Sequence, residues 1–178
     1  MKPQPDTTAL FEEWYAAEMP RLYNYVAYLV QDRAAAEDLT AAICERALVR
    51  LAQYDAQKGS LDAWMFAIAR NMVRNHQRDT SRQPRSTSLD ELPEIRGRGG
   101  TPEEIAQRAE DFRQVIAHLA ELSEAEQQVI ALRFGADISN VDIARVLGVT
   151  PNHVGVISYR ALQKLREALH LEAEDDYA

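Results

Sequence analysis

The sequence predicts an all-α protein of two small helical domains, an N-terminal helical bundle and a C-terminal helix-turn-helix, joined by a flexible linker. Three observations carry that expectation. Apolar residues recur at three- and four-residue spacing along most of the 178 residues, and no run alternates convincingly with period two. Between residues 80 and 100 the stretch TSRQPRSTSLDELPEIRGRGG is rich in Ser, Thr, Pro, Gly and Arg, with too few apolar side chains to pack. From residue 139 to 165 two short helical patterns flank a glycine turn. The expected boundaries are 8–82 for the bundle, 83–100 for the linker, 101–171 for the second domain and 172–178 for an acidic tail.

The elements follow in order. Leu10, Phe11, Trp14, Tyr15, Met19, Leu22, Tyr23, Val26, Leu29 and Val30 predict a long amphipathic first helix, with a bend expected at Pro20. Asp32 is placed to cap a second helix reaching about residue 54, with Leu39, Ile43, Leu48 and Leu51 inward. Ser60 caps a third, whose stripe is Leu61, Trp64, Met65, Ile68 and Met72. A strand-free N-terminal bundle of three or four helices follows. After the linker, Thr101, Pro102 and Glu104 supply an N-cap, a first-position proline and a capping-box glutamate. Ile105, Phe112, Val115, Ile116 and Leu119 line that helix. Ser123 and Glu126 make a second capping box, ahead of inward Val129, Ile130, Leu132 and Phe134 and a closing Gly135.

Ser139 then caps a short helix carrying Ile143, Ala144, Val146 and Leu147, and Asp142 adds charge to its first turn. Gly148 tolerates the left-handed conformation that ends it. Thr150 caps the last helix, with Pro151 at its first position and Val154, Ile157, Ser158, Ala161 and Leu165 inward. A helical hairpin with caps and a glycine can be purely structural. The run I-A-x-x-L-G-V-T-P before an amphipathic helix favours a DNA-binding helix-turn-helix.

Composition narrows the function. The one cysteine, Cys44, excludes an internal disulfide and a multi-cysteine metal site, and its apolar helix face makes it a buried structural thiol. No apolar run suits a signal peptide or a membrane span, so a cytoplasmic protein without membrane insertion is expected. His76, His118, His153 and His170 are scattered, and no glycine-rich phosphate loop or nucleophilic triad stands out. Neither an enzyme nor a bound metal or cofactor is expected.

The net charge of −8 runs against DNA binding, because neutralising phosphates supplies most of the affinity. Its distribution changes the picture. Residues 58–85 hold six basic residues against two acids, and residues 139–166 hold four against one. The acids gather elsewhere, at residues 103–128 and 167–178 among others. Two basic islands on an acidic chain predict modest DNA affinity alone and dependence on a larger partner.

The order of motifs then bears on identity. AEDL in the second helix, W-M-F-A-I-A-R-N-M-V-R-N-H-Q-R in the third, a polar linker, and L-S-E-A-E-Q-Q-V-I-A-L-R-F ahead of a helix-turn-helix together resemble the extracytoplasmic-function sigma factors of bacterial RNA polymerase. The likeness covers roughly residues 11–83 and 112–171. It implies a first domain, region two, that binds the beta-prime coiled coil of core RNA polymerase and captures the promoter's minus-ten element. It implies a second, region four, that binds the beta flap and reads the minus-thirty-five element. An anti-sigma factor is the further partner implied.

The resemblance assigns Glu37, Asp38 and Leu39, with Ala42 beyond them, to polymerase binding; the family's usual polar continuation is replaced here by Thr40, Ala41 and Ala42. For the minus-ten element, Arg70, Asn71, Arg74, Asn75 and Arg78 recur at three- and four-residue spacing and are expected on one helix face. Arginines suit phosphates, and Asn amides suit the edge of an unpaired base. Lys58 and Gly59 lie in YDAQKGS, which is similar to the family loop that receives a flipped base. Trp64 could stack there, but its place in the stripe favours the core. In region four the expected DNA residues are Thr150, Asn152, His153, Val156, Tyr159, Arg160 and Lys164. Asn152 and His153 are best placed for base edges, with Arg160 and Lys164 on phosphates. The middle of that helix reads Gly155, Val156, Ile157, where the family often carries Lys or Arg. The alternative is a free-standing helix-turn-helix regulator whose N-terminal bundle serves as an effector or dimerisation domain.

Overall fold

A computed structural model of the chain describes residues 7–80 and 101–175. The expected linker at 83–100 lies outside them. Among the described residues there is no strand. The first half is α1 (Thr7–Val30), α2 (Arg33–Arg50) with a 3-10 turn at Leu51–Gln53, and α3 (Leu61–Thr80). The second is α4 (Pro102–His118) with a 3-10 turn at Leu119–Glu121, α5 (Glu124–Ile130) closed by a π turn at Ala131–Gly135, α6 (Asn140–Leu147) and α7 (Pro151–Asp175).

The caps fall where local chemistry asks for them. Asp32 accepts from the Ala35 N–H at 2.7 Å and Ser60 from the Ala63 N–H at 3.1 Å. Thr101 with Glu104 and Ser123 with Glu126 form complete capping boxes. Gly148 ends α6 at φ 71°. Helix α1 contains Pro20, the position of the expected bend, and continues beyond it to Val30.

Several expected stripes shift in phase. On α2 the buried residues are Ala36, Thr40, Ile43, Cys44 and Ala47, followed by Leu51, while Leu39 is half-buried and Leu48 is exposed. A residue one place along is rotated by about 100° on a helix, enough to carry Leu48 out of the seam. The small residues that remain let α2 lie close on α1. On α3 the core side is Leu61, Ala63, Met65, Phe66, Ile68, Ala69 and Val73, with Trp64 and Met72 only half-buried. Phe134, expected inward, is exposed beneath the Arg133 guanidinium, 5.8 Å from its ring centre, because the π turn rotates the chain there. Ile105, Phe112 and Val115 lie outside the described side chains; Ile116 and Leu119 are buried. The acidic tail, expected to fray, continues as helix to Asp175.

Residues 21–30 of α1 are all buried, which a three-helix bundle alone does not produce. The second half covers what the first leaves open. Its π turn packs on α1 and α6 packs on α3, so one apolar cluster runs through both halves. Tyr25 stacks edge-on to Phe66 at 5.5 Å and donates its hydroxyl to Gln128 Oε1 at 2.7 Å. Arg21, itself buried, donates to the Ala136 carbonyl, to the Asp137 carbonyl at 3.1 Å and to Glu18 at 2.6 Å, and lies 3.2 Å from Asp62. Removing one partner of such a buried charged cluster typically costs about 3–5 kcal/mol. The sequence led to the expectation of halves that move independently or meet across a modest, polar-rimmed contact; the contact observed has an apolar heart and a charged rim.

Candidate nucleic-acid interface

The expected minus-ten residues lie along α3 and in the loop before it. Lys58 is almost fully exposed, 3.4 Å from Asp55, and Gly59 is half-buried beside it. Tyr54 and Trp64 pack against each other, ring centres 5.6 Å apart, in the wall of a 190 Å³ pocket that Lys58, Gly59 and Ser60 help line, and the Tyr54 hydroxyl donates to the Gly59 carbonyl at 3.3 Å. Trp64, expected in the core, is therefore a half-buried pocket wall. An aromatic wall beside a glycine-containing loop suits an unstacked base.

Arg70, Asn71, Arg74, Asn75 and Arg78 spread around α3 over a wide arc. Arg70 and Arg74 turn towards α1 and α5, close enough to oppose the effect of burial on Tyr25, whose phenol is pushed well above its ordinary range. The Arg70 Nε is buried and has no hydrogen-bond partner among the described residues. Arg74 Nε lies 2.7 Å from Glu124 on α5. Asn75 instead reaches a groove of about 590 Å³ between α2 and α3, which Leu39, Ala42 and Met72 also line. Arg78 donates to Asn75 Oδ1, tying those two together. Asn71 is exposed.

The expected polymerase residues are on the outer side of α2. Glu37 and Asp38 are exposed, Glu37 lying 3.5 Å from Arg33, and Leu39 and Ala42 are half-buried at the groove. Thr40 is turned inward, its hydroxyl donating to the Ala36 carbonyl at 2.6 Å, so it offers no polar group outward.

In the helix-turn-helix, Thr150 caps α7 by accepting from the His153 N–H at 3.2 Å. Asn152, His153, Val156, Tyr159 and Arg160 are exposed, and Val154, Ser158 and Ala161 are buried against the rest of the second half. Tyr159 is 65% exposed, which leaves an aromatic edge on the outer face. Lys164, expected on phosphate, lies 2.8 Å from buried Glu126 and fastens α7 to α5. Burial pushes the Glu126 carboxyl up, but Lys164 and the Ser123 N–H and hydroxyl outweigh it and hold it below the usual carboxylate range.

Sequence reasoning missed the residues that join the halves. Arg145 on α6 lines the loop pocket, its Cδ 3.5 Å from where a Cβ on Gly59 would stand, and Asp142 accepts from the Ser60 hydroxyl at 2.9 Å. Both looked like ordinary local charges on α6. Arg21 did carry a signal, a lone cation inside the apolar run of α1. Among the described residues no helix is long and apolar enough to cross a membrane.

Comparison with known proteins agrees with this layout. Residues 14–83 match sigma-70 region 2, and residues 118–167 match sigma-70 region 4. The chain is 33% identical over 132 residues to the ECF RNA polymerase sigma factor ShbA of Streptomyces griseus, covering 73% of this chain and 69% of that one. It is 30% identical over 171 residues to SigC of Mycobacterium tuberculosis, covering 93% and 84%. Among solved structures, CnrH in complex with the cytosolic domain of CnrY superposes with a TM-score of 0.68 at 21% identity, over 92% of this chain and 90% of that one, a likeness of fold. The free-standing regulator gains no support, since the span read as its effector domain matches region 2. The chain belongs to the extracytoplasmic-function sigma factors of the sigma-70 family, the subunits that direct bacterial RNA polymerase to promoters.

Proposed function

We propose that the two halves divide promoter recognition in the manner the family implies, as a non-enzymatic cytoplasmic subunit with anti-sigma control. Residues 8–82 form the minus-ten and polymerase-binding unit and residues 101–171 the minus-thirty-five unit. The observation that carries the proposal is the arrangement around α3: three arginines along one helix, next to a loop pocket walled by Tyr54 and Trp64. Arg70, Arg74 and Arg78 hold the phosphates of the opened strand, and Lys58 and Gly59 let its backbone approach. Asn71 and Asn75 address bases. On α7, Asn152 and His153 near the helix N-terminus reach base edges, Val156 and Tyr159 offer apolar contact suited to thymine methyls, and Arg160 takes phosphate. Glu37, Asp38, Leu39 and Ala42 present the polymerase contact, polar at one end and apolar at the groove.

Run-off transcription with purified core polymerase tests this. The chain should initiate only with core present. Arg74→Ala should weaken all promoters alike and lower the salt slope by about one. Asn71→Ala should change discrimination among minus-ten bases by about 1–3 kcal/mol where the contact is bidentate. Asn75 and Arg78 are bonded to each other, so their single changes should not add. Uniform effects from all these changes would overturn the division between phosphate and base contacts.

A further inference from the structure

We infer that Val156 and Tyr159 make duplex reading by α7 depend on the C5-methyl groups of two neighbouring thymines, so that this chain selects its upstream element by apolar contact more than by charge. The inference rests on the assignment of α7 to the minus-thirty-five element and names the bases that assignment leaves open.

Packing decides which side of α7 faces out. Val154, Ser158 and Ala161 are buried, which turns Asn152, Val156, Tyr159 and Gln163 to the opposite side at spacings of four, three and four. Val156 and Tyr159 are 46% and 65% exposed, unusual for an apolar pair at the centre of a helix face. Gln163 Nε2 donates to the Tyr159 hydroxyl at 2.8 Å, which holds the ring along this face. Three residues advance a helix by about 4.5 Å, close to the roughly 3.4 Å rise of one DNA strand per base. The two side chains therefore meet neighbouring bases.

Charge cannot supply the discrimination. Between Pro151 and Lys164 the Lys and Arg residues are Arg160 and Lys164, and Lys164 lies 2.8 Å from Glu126. Arg160 on phosphate adds the same amount for every sequence. The major groove offers polar edges at each base pair and a single apolar feature, the thymine C5-methyl. A valine and a tyrosine ring laid over any other edge would leave its donors or acceptors unpaired. Two apolar side chains framed by Asn152, His153 and Arg160 are also too small a patch for a stable protein interface, which takes roughly 800 Å² from each partner. A thymine-bearing duplex is the occupant that fits.

The test uses holoenzyme assembled from the full chain and core polymerase. Duplex fragments randomised over both promoter elements are selected for binding, and each thymine of the selected upstream element is exchanged singly for deoxyuridine, which lacks only the methyl. Exchange at each of two neighbouring positions should weaken binding about fourfold, as burial of one methyl implies. Val156→Ser and Tyr159→Ser should each bind the thymine and deoxyuridine forms alike at one of those positions, while Tyr159→Phe keeps the preference. A selected element without neighbouring thymines, or deoxyuridine forms bound as tightly as thymine forms, overturns the inference; if Arg160→Ala still weakens upstream binding, the α7 assignment survives that loss. If no upstream sequence is selected and Arg160→Ala changes nothing, the assignment falls, and the inference with it. Weaker association of Tyr159→Ser with core polymerase in the absence of DNA would make the stripe a protein contact and overturn the inference as well.

Discussion

Replacing Gly135 by Ala should prise the two halves apart without unfolding either. A Cβ at this position would stand 2.7 Å from Cδ2 and 3.1 Å from Cε2 of the Tyr28 ring, with the Asn24 carbonyl 3.5 Å away. Carbon atoms meet without repulsion at about 3.5–4.0 Å, so the ring or the π turn has to move. Tyr28 is only 8% exposed and belongs to the all-round buried part of α1, so the ring has little room to swing. Overpacking of this kind costs about 1–3 kcal/mol. Against it, Ala in place of Gly lowers the entropy of the unfolded chain, a gain of about 0.4–1 kcal/mol. At mid-range, about 2 less about 0.7, the net loss is about 1.3 kcal/mol, and it falls on the seam between the halves. Urea titration reads it with two probes. Trp14 and Trp64 both lie in the first half, so fluorescence follows that half, while far-UV circular dichroism follows both. In the parent chain the two transitions should coincide, because the halves share one apolar cluster. In the variant the midpoint should drop by roughly 0.5–1 M, and the two transitions should separate. An unchanged or raised midpoint with coincident transitions would refute the reading of Gly135 as a contact only glycine permits.

Two further outcomes follow from local geometry. Gly155→Ala on α7 meets no atom within 4 Å of the new Cβ, so it should raise Tm by roughly 2–4 °C through helix propensity; a lower Tm in a thermal scan would contradict this. Lys164→Met should raise the pH at which the second half unfolds in an acid titration followed by circular dichroism. The folded pKa of Glu126 lies below its unfolded value, so its stabilisation is complete above the ordinary carboxylate range and is lost as pH falls through the folded value. Removing Lys164 moves that loss upward, and an unmoved acid midpoint would show that the pair at 2.8 Å holds nothing.

Local chemistry made the helices legible from sequence alone. Asp32, Ser60, Thr101, Ser123, Ser139 and Thr150 each cap a helix through an oxygen within three residues of the N–H it serves, and Gly148 ends α6 because its own backbone tolerates φ 71°. Motif order along the chain was enough for the family. What the sequence could not display is everything that depends on a neighbour far along it. The phase of α2 was set by Ala36, Ile43 and Ala47 finding α1, which sent Leu48 outward. Lys164, expected on phosphate, was claimed instead by Glu126, 38 residues earlier. Arg21, Tyr25, Ser60 and Arg74 found Ala136, Gln128, Asp142 and Glu124 in the other half, pairs of ordinary polar residues whose spacing carries no periodic signal. Caps and stripes are short-range and periodic, so a linear reading finds them; the closing of one half on the other is a matter of shape and charge brought together only by folding.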